Sequence, residues 1–354
     1  MAPWSDRYYH AAVSHNGSIF VFGGAHPDNT LHEYYGDLWR SDDDGLNWTR
    51  IFEEGPMGPR SRSRLFSFKG DLWIVGGDFW KSSDNGLTWD LVNEDPWSGT
   101  GLQRPFSNRR LVVHKNEFYA TIGSNNPYSL KPFQVWRSSD GLTWVSDDMI
   151  VPYISDISGM EVAYADLISS RGSLYFVGGS YFGGVTADSG IWRSDDDGLT
   201  WARICDSTPE YPGNAYPGGW PHYYAKRLNG RAGVWKNNIY VFGGNLRDTV
   251  YYGNDVIKVD TRKHHDLKIN TISGVGDHHP LTRTDTFADC IHNGQFYIFG
   301  GRVQTVYGSS GFDNYAPFND MWALPLPNDH RRRSAWVAGA GARFSGAISG
   351  VIGR

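Results

Sequence analysis

The chain has 354 residues, 40% hydrophobic and 20% charged, with a formal net charge of -5. This is a globular composition, and its slight acidity gives no electrostatic case for nucleic acid or for insertion at an anionic membrane. Two cysteines, Cys205 and Cys290, exclude a disulfide framework, and no apolar run reaches transmembrane length.

Residues Met1-Ala2-Pro3-Trp4-Ser5 do not read as a secretory signal, so the expectation is a chain that acts where it is made or leaves inside an assembled particle. From Arg7 an alternating run reaches Val13, turns at His15-Asn16-Gly17, and returns through Ile19 to Gly23-Gly24. A polar loop then leads to Asp37-Leu38-Trp39 and the phrase Ser41 to Trp48, SDDDGLNW. That phrase recurs as SSDNGLTW from Ser82, SSDGLTW from Ser138 and SDDDGLTW from Ser194, each time after an apolar or aromatic pair and a basic residue. Ser and Asp side chains suit backbone N–H groups inside a tight turn, Gly supplies positive φ, and the Trp closes the hairpin.

Unit two starts at Arg60 and turns at Lys69-Gly70 before Gly76-Gly77; unit three is degenerate, with Asn116-Glu117 as its turn and Ile122-Gly123-Ser124 in place of the glycine pair. Unit four has Arg171-Gly172 and Gly178-Gly179. Unit five runs from Arg227 through Gly243-Gly244 and has lost the Ser-Asp phrase, and unit six has His292-Asn293-Gly294, Gly300-Gly301 and Asp320-Met321-Trp322. Six units of four short strands predict an all-β fold, a six-bladed β-propeller of four-stranded antiparallel blades over residues 1–330, with almost no helix. Unit six lacks an outermost strand. Two segments can supply it, Ala2 to Asp6 around Trp4 or Ser334 to Ala338 around Trp336, and the first is preferred because an N-terminal strand would close the ring. Residues 331–354, basic at Arg331-Arg332-Arg333 and then rich in Ala and Gly, read as a stub repeat or docking segment.

The run from Arg7 to Gly24, with its basic start, central Asn-Gly turn and double glycine, resembles a kelch repeat. The Ser-x-Asp-x-Gly-x-Thr-Trp phrase resembles the Asp box of sialidase-type propellers. Together these resemblances cover nearly all of residues 4 to 330. They imply the propeller fold; they leave function open, because such propellers include enzymes, glycan binders and scaffolds.

On this fold the short turns share one face and the long connections the other, where binding is expected. The candidate binding residues there are Tyr34, Tyr35, Trp97, Tyr181, Trp220, Tyr223, Tyr252 and Tyr315, whose flat apolar rings with polar edges suit sugars and protein surfaces alike. Arg7, Arg60 and Arg227 stand sixteen residues before the first glycine of their units, and Arg283 is one residue off that position. They either converge near the axis to hold an anion, as arginines do in sialidases and kelch-type sialic acid epimerases, or each ties its own blade together.

Other chemistry finds less support. Asp42-Asp43-Asp44 and Asp195-Asp196-Asp197 lack the alternating ligands and distal Glu of a calcium loop. The pairs His264-His265 and His278-His279 point to opposite faces of a strand, so no metal site is expected. A sialidase would carry an Arg-Ile-Pro phrase, which is absent, and two scattered cysteines give little for a copper-radical oxidase. The expectation is a non-catalytic module, with no cofactor, that recognises glycan or protein partners through its long-loop face, as part of a viral or phage particle. The alternatives are a glycan-processing enzyme and a cytoplasmic kelch-like scaffold.

Overall fold

The computed structural model describes residues 2–26, 33–96, 98, 111–122, 134–150, 162–163, 166–177, 180–181, 191–205, 227–228, 231–242, 245–246, 256–259, 269–271, 288–306 and 314–326. Every regular element among them is a β-strand. The first sheet comprises β1 (Ala11–His15), β2 (Ser18–Ala25), β3 (Tyr34–Ser41) and β4 (Thr49–Phe52), and the second β5 (Arg64–Phe68), β6 (Asp71–Val75), β7 (Phe79–Ser82) and β8 (Asp90–Asn93). The third holds β9 (Leu111–His114), β10 (Glu117–Ile122), β11 (Gln134–Ser138) and β12 (Val145–Ile150).

In the fourth, β14 (Asp166–Ser170), β15 (Ser173–Val177), β17 (Ile191–Ser194) and β18 (Ala202–Cys205) follow one another, while β13 (Val162–Ala163) pairs with β16 (Ser180–Tyr181). The fifth repeats this with β20 (Arg231–Trp235), β21 (Asn238–Phe242), β23 (Val256–Val259) and β24 (Ile269–Thr271), flanked by β19 (Arg227–Leu228) on β22 (Asn245–Leu246). The sixth has three strands: β25 (Ala288–His292), β26 (Gln295–Val306) and β27 (Asn314–Pro325). In all six, neighbours in sequence are neighbours in the sheet and antiparallel, the meander expected of a propeller blade.

The chain divides into two compact units. One is Met1–Ser61 with Thr286–Arg354, and the other is Arg62–Asp285. In the first, sheets one and six share a core of Ile19, Val21, Ala288, Tyr297, Phe299 and Met321. In the second, sheets two and three meet around Phe118, whose ring lies 4.3 Å from Phe68, 5.3 Å from Trp73, 5.7 Å from Phe79 and 5.8 Å from Phe66, centroid to centroid. Sheets four and five meet around Tyr175, Val177, Ile191, Ile239 and Val259.

The four Ser-Asp turns are built alike. The Ser Oγ accepts the Gly N–H at 2.7 to 2.8 Å in Ser41/Gly45, Ser82/Gly86, Ser138/Gly141 and Ser194/Gly198. The Trp Nε1–H donates back to the same Gly carbonyl at 3.0 Å in each copy, which is how the indole closes the hairpin. Asp43, Asp84, Asp140 and Asp196 accept the backbone N–H just ahead of the Trp. The carboxylates are therefore occupied as turn caps, and bonds led by the Thr88 hydroxyl and N–H pull Asp84 down to about 2. The glycine has a second reason besides its positive φ. A Cβ on Gly141 would sit 2.8 Å from the Trp73 ring of the preceding sheet, and one on Gly45 2.7 Å from Met321.

Two expectations are corrected. Six four-stranded blades were predicted, whereas five sheets have four strands and the sixth has three among the described residues. The preferred fourth strand, Ala2 to Asp6, forms no strand. Trp4 is instead buried in the core shared by sheets one and six, with ring centroids 4.8 Å from Trp48, 5.7 Å from Trp39 and 6.4 Å from Phe299. Sinking an indole among three aromatic rings removes far more apolar surface from water than an edge strand would, and Pro3 lacks an N–H for ladder pairing. The other segment, Ser334 to Ala338, lies outside the described residues, as does the tail from 331 to 354.

Candidate functional site

The side chains predicted to bind begin with Arg7, and its surroundings explain the sixteen-residue spacing. Arg7 is 1% exposed; its Nη1 donates to the carbonyl of Gly23, sixteen residues on, at 2.9 Å. The same guanidinium meets the two carboxylate oxygens of Asp37 at 2.6 and 2.9 Å, and its carbon lies 4.2 Å from the Tyr35 ring centroid. Nε completes the set by donating to the Ser5 carbonyl at 3.3 Å. Burial raises the Tyr35 phenol above its ordinary value, against the opposing effects of Ser5 and Arg7. The Arg7 guanidinium thus ties the start of sheet one to β2 and β3.

The backbone of this arginine has its own role. The Arg7 carbonyl accepts the N–H of Gly301 at 3.1 Å, and the Arg60 carbonyl accepts that of Gly24 at 2.9 Å. In both cases the second glycine of one unit's pair is stitched to the basic residue opening another unit. A Cβ on Gly23 would come within 2.7 Å of the Arg60 carbonyl oxygen, and the φ there is +65°. The glycine pair is therefore the place where two units' backbones touch, and only glycine fits.

The Arg60 guanidinium donates to the Met57 carbonyl. Arg227 lies on β19, paired with Leu246, and Tyr181 on β16, paired with Val162. Tyr315 lies on β27 opposite Gln304, beyond Gly301 on the long hairpin of sheet six. Arg283, Trp97, Trp220, Tyr223 and Tyr252 lie outside the described residues. Of the predicted arginines, Arg7 and Arg60 have described side-chain bonds, and each bonds to its own neighbourhood.

Aromatic side chains gather instead at the long-loop end of sheet one. Tyr8 and Ala25 exchange backbone hydrogen bonds of 3.2 and 2.8 Å, and Ala25 pairs across β2 and β3 with Tyr34. Tyr9, at φ 55°, turns so that its ring lies 5.0 Å from that of Tyr8. His26 sits 6.2 Å from Tyr35, and Tyr34 is 48% exposed.

Two features escaped sequence reasoning. Asp37, the partner of Arg7, belongs to an Asp-x-Trp phrase in which the carboxylate also accepts the indole N–H: Asp37 with Trp39 at 2.8 Å, Asp78 with Trp80 at 2.9 Å and Asp320 with Trp322 at 2.7 Å. The recurrence of that phrase was the available signal. The second feature is a Ser-His-Asp relay on the short-turn side. In one unit of the fold His292 Nδ1 is 2.7 Å from Ser14 Oγ and Nε2 is 3.0 Å from Asp44. In the other, His114 Nδ1 is 2.8 Å from Ser169 Oγ and Nε2 is 2.9 Å from Asp197.

Both histidines are buried. A carboxylate only accepts, so in the neutral His114 imidazole Nε2 carries the proton toward Asp197 and Nδ1 accepts the Ser169 O–H. Burial lowers the His114 value, opposed by Asp197. Although burial pushes Asp197 up, Lys115 and His114 hold its carboxyl below the usual range. The same trio at two equivalent junctions, each time joining the first turn of one sheet to the Ser-Asp turn of the next, is a fastening of the repeat.

No protein-family model matches the chain. A curated protein to which it is similar is the oligoxyloglucan-reducing end-specific xyloglucanase of Emericella nidulans, 37% identical over 65 residues. The match is 18% of this chain and 8% of that protein, so the chain spans only a small part of the relative's length. Among solved structures, that of YjhT superposes with a TM-score of 0.57 over 92% of this chain and 96% of its own, at 13% identity. At that identity the likeness concerns the fold: an all-β propeller with small four-stranded antiparallel blades.

Proposed function

We propose that this propeller recognises glycans, without catalysis, through the long-loop ends of its blades. The observation that carries this reading is the gathering of Tyr8, Tyr9, Tyr34, Tyr35 and His26 at one end of sheet one, with Tyr34 exposed. Aromatic rings with a polar edge at a loop end are the usual material of a sugar-binding surface. A non-catalytic role is supported by Arg7, whose guanidinium is spent inside its own blade. In the same reading the repeats are of kelch and Asp-box type and the ring has six blades. The test is a glycan array probed with the intact chain: reproducible binding to one group of glycans is the expected result, and a blank array overturns the reading.

A second reading, glycan processing, is favoured by the short stretch of identity with a xyloglucanase. Incubation with xyloglucan oligosaccharides separates the two, since recognition leaves them intact and processing releases new reducing ends.

A further inference from the structure

We propose that the short-turn side of sheets three to five is a docking surface for an acidic protein segment, gripped by Lys115, Arg171 and Lys236. The proposal is independent of the glycan reading and concerns the side away from the long loops. In every sheet the two inner strands are joined by a two-residue hairpin whose first residue has positive φ: Asn16, Lys69, Lys115, Arg171, Lys236 and Asn293, at 45 to 53°. Asparagine suits that conformation, and sheets one and six use it. Sheets two to five hold a lysine or arginine there, which has no such preference, so the turn itself does not call for the basic side chain.

Three of these basic turns lie side by side. Lys115 Cε is 4.0 Å from the place a Cβ on Gly172 would take, next to Arg171. Arg171 Nε donates to the carbonyl of Asn237 at 3.3 Å, next to Lys236, whereas Lys69 reaches the Ser139 carbonyl at 2.7 Å. Lys115, Arg171 and Lys236 are all exposed. Crowding like charges is unfavourable, and the nearby carboxylates are engaged: Asp197 is shared by Lys115 and His114, Asp195 pairs with Arg193, Asp196 receives the Thr200 hydroxyl and Glu117 stands 3.7 Å from Arg137. Within the cluster only Asp197 answers the cations, so positive charge is left over for an outside partner. Two of the three cations are lysines, compact and strongly hydrated point charges that meet separate carboxylates without a fixed geometry. Arg171 adds a forked end of the shape that grips a carboxylate at two points. A chain carrying carboxylates on flexible side chains, an Asp- or Glu-rich segment, is the occupant this set fits.

The experiment is fluorescence anisotropy of labelled hexaglutamate, hexaglutamine and a heparin oligosaccharide with the intact chain, repeated with Lys115→Asn, Arg171→Asn, Lys236→Asn and all three together. Each variant takes the residue that sheets one and six already hold at the same place, so the hairpin conformation is kept. The expected result is that hexaglutamate binds and hexaglutamine does not, and that binding weakens as salt is raised. Each single variant is expected to lose about threefold in affinity and the triple variant about tenfold or more, with urea unfolding little changed. Hexaglutamate binding that persists in the triple variant overturns the proposal, as does its absence in the parent chain. A preference for heparin that the triple variant loses assigns the surface to a sulfated polysaccharide instead. Lost stability with unaltered binding reduces the three side chains to stitches between blades. If the triple variant does not fold, Lys236→Asn decides alone, because its ammonium lies over Trp235 of its own turn, 5.7 Å from the ring centroid, and unchanged binding there overturns the surface.

Discussion

Arg7 and Asp37 meet through two hydrogen bonds of 2.6 and 2.9 Å, and the arginine is almost wholly enclosed. Removing one partner strands the other charge in a poorly solvated place. Asp37→Asn or Arg7→Ala is therefore expected to cost about 3–5 kcal/mol of stability. Arg7→Lys is expected to fail as a replacement, because an ammonium cannot span both carboxylate oxygens and the Gly23 carbonyl. Urea denaturation of each variant measures this, and a loss below about 1 kcal/mol in all three would refute the tie.

Phe118 sits among Phe66, Phe68, Trp73 and Phe79 and is fully buried. Truncation to alanine leaves a cavity between two rigid sheets that cannot close over it. The expected loss is about 3–5 kcal/mol, read from the midpoint of thermal or urea unfolding.

Backbone contact makes a different forecast for the first glycine pair. Gly23→Ala places a methyl group against the Arg60 carbonyl oxygen at a φ of +65°, so both strain and collision result. A destabilisation of about 2 kcal/mol or more follows. Gly17→Ala, where nothing lies within 4 Å of the new methyl, carries only the positive-φ strain and is expected to cost less. Parallel denaturation curves compare the two.

Acid should act through His114. Its folded value lies below the ordinary 6.5 because burial disfavours the imidazolium. The unfolded chain then binds the proton more readily, so this residue's contribution is complete above about pH 6.5 and declines as pH falls below it. His114→Gln is expected to flatten that part of the stability profile between pH 7 and 5; an identical slope in both proteins would contradict the assignment.

Asp84 works at lower pH. With its carboxyl pulled to about 2 from an ordinary 3.8, it supports the turn above pH 3.8 and that support disappears as pH falls through 2. Asp84→Asn is expected to lose stability at neutral pH and to converge on the parent near pH 2, which acid titration followed by circular dichroism detects.

The repeat was legible because its parts are local. Ser82, Asp84, Gly86 and Trp89 satisfy one another within eight residues, so spacing alone predicts the turn. Arg7 was found by its spacing to Gly23, and tying its own blade was one of the two uses expected of it; the spacing could not name Asp37, since a guanidinium aimed at an axis and one folded onto Asp37 have the same sequence register. Trp4 misled for a similar reason. An apolar residue near a terminus reads equally as strand or as core, and only the presence of Trp39, Trp48 and Phe299 around it decides. The histidine relays were illegible because Ser14 and His292, or His114 and Asp197, are brought together only by neighbouring sheets.

The shared core of sheets one and six has a consequence for how the protein is made. Ile19 and Val21 leave the ribosome some 280 to 300 residues ahead of Tyr297, Phe299 and Met321. At translation speeds of about 5–20 residues per second, that is a wait of roughly 15 to 60 seconds. During that interval the opening segment holds sticky surface with nothing to cover it, which makes the nascent polypeptide a natural client for chaperones.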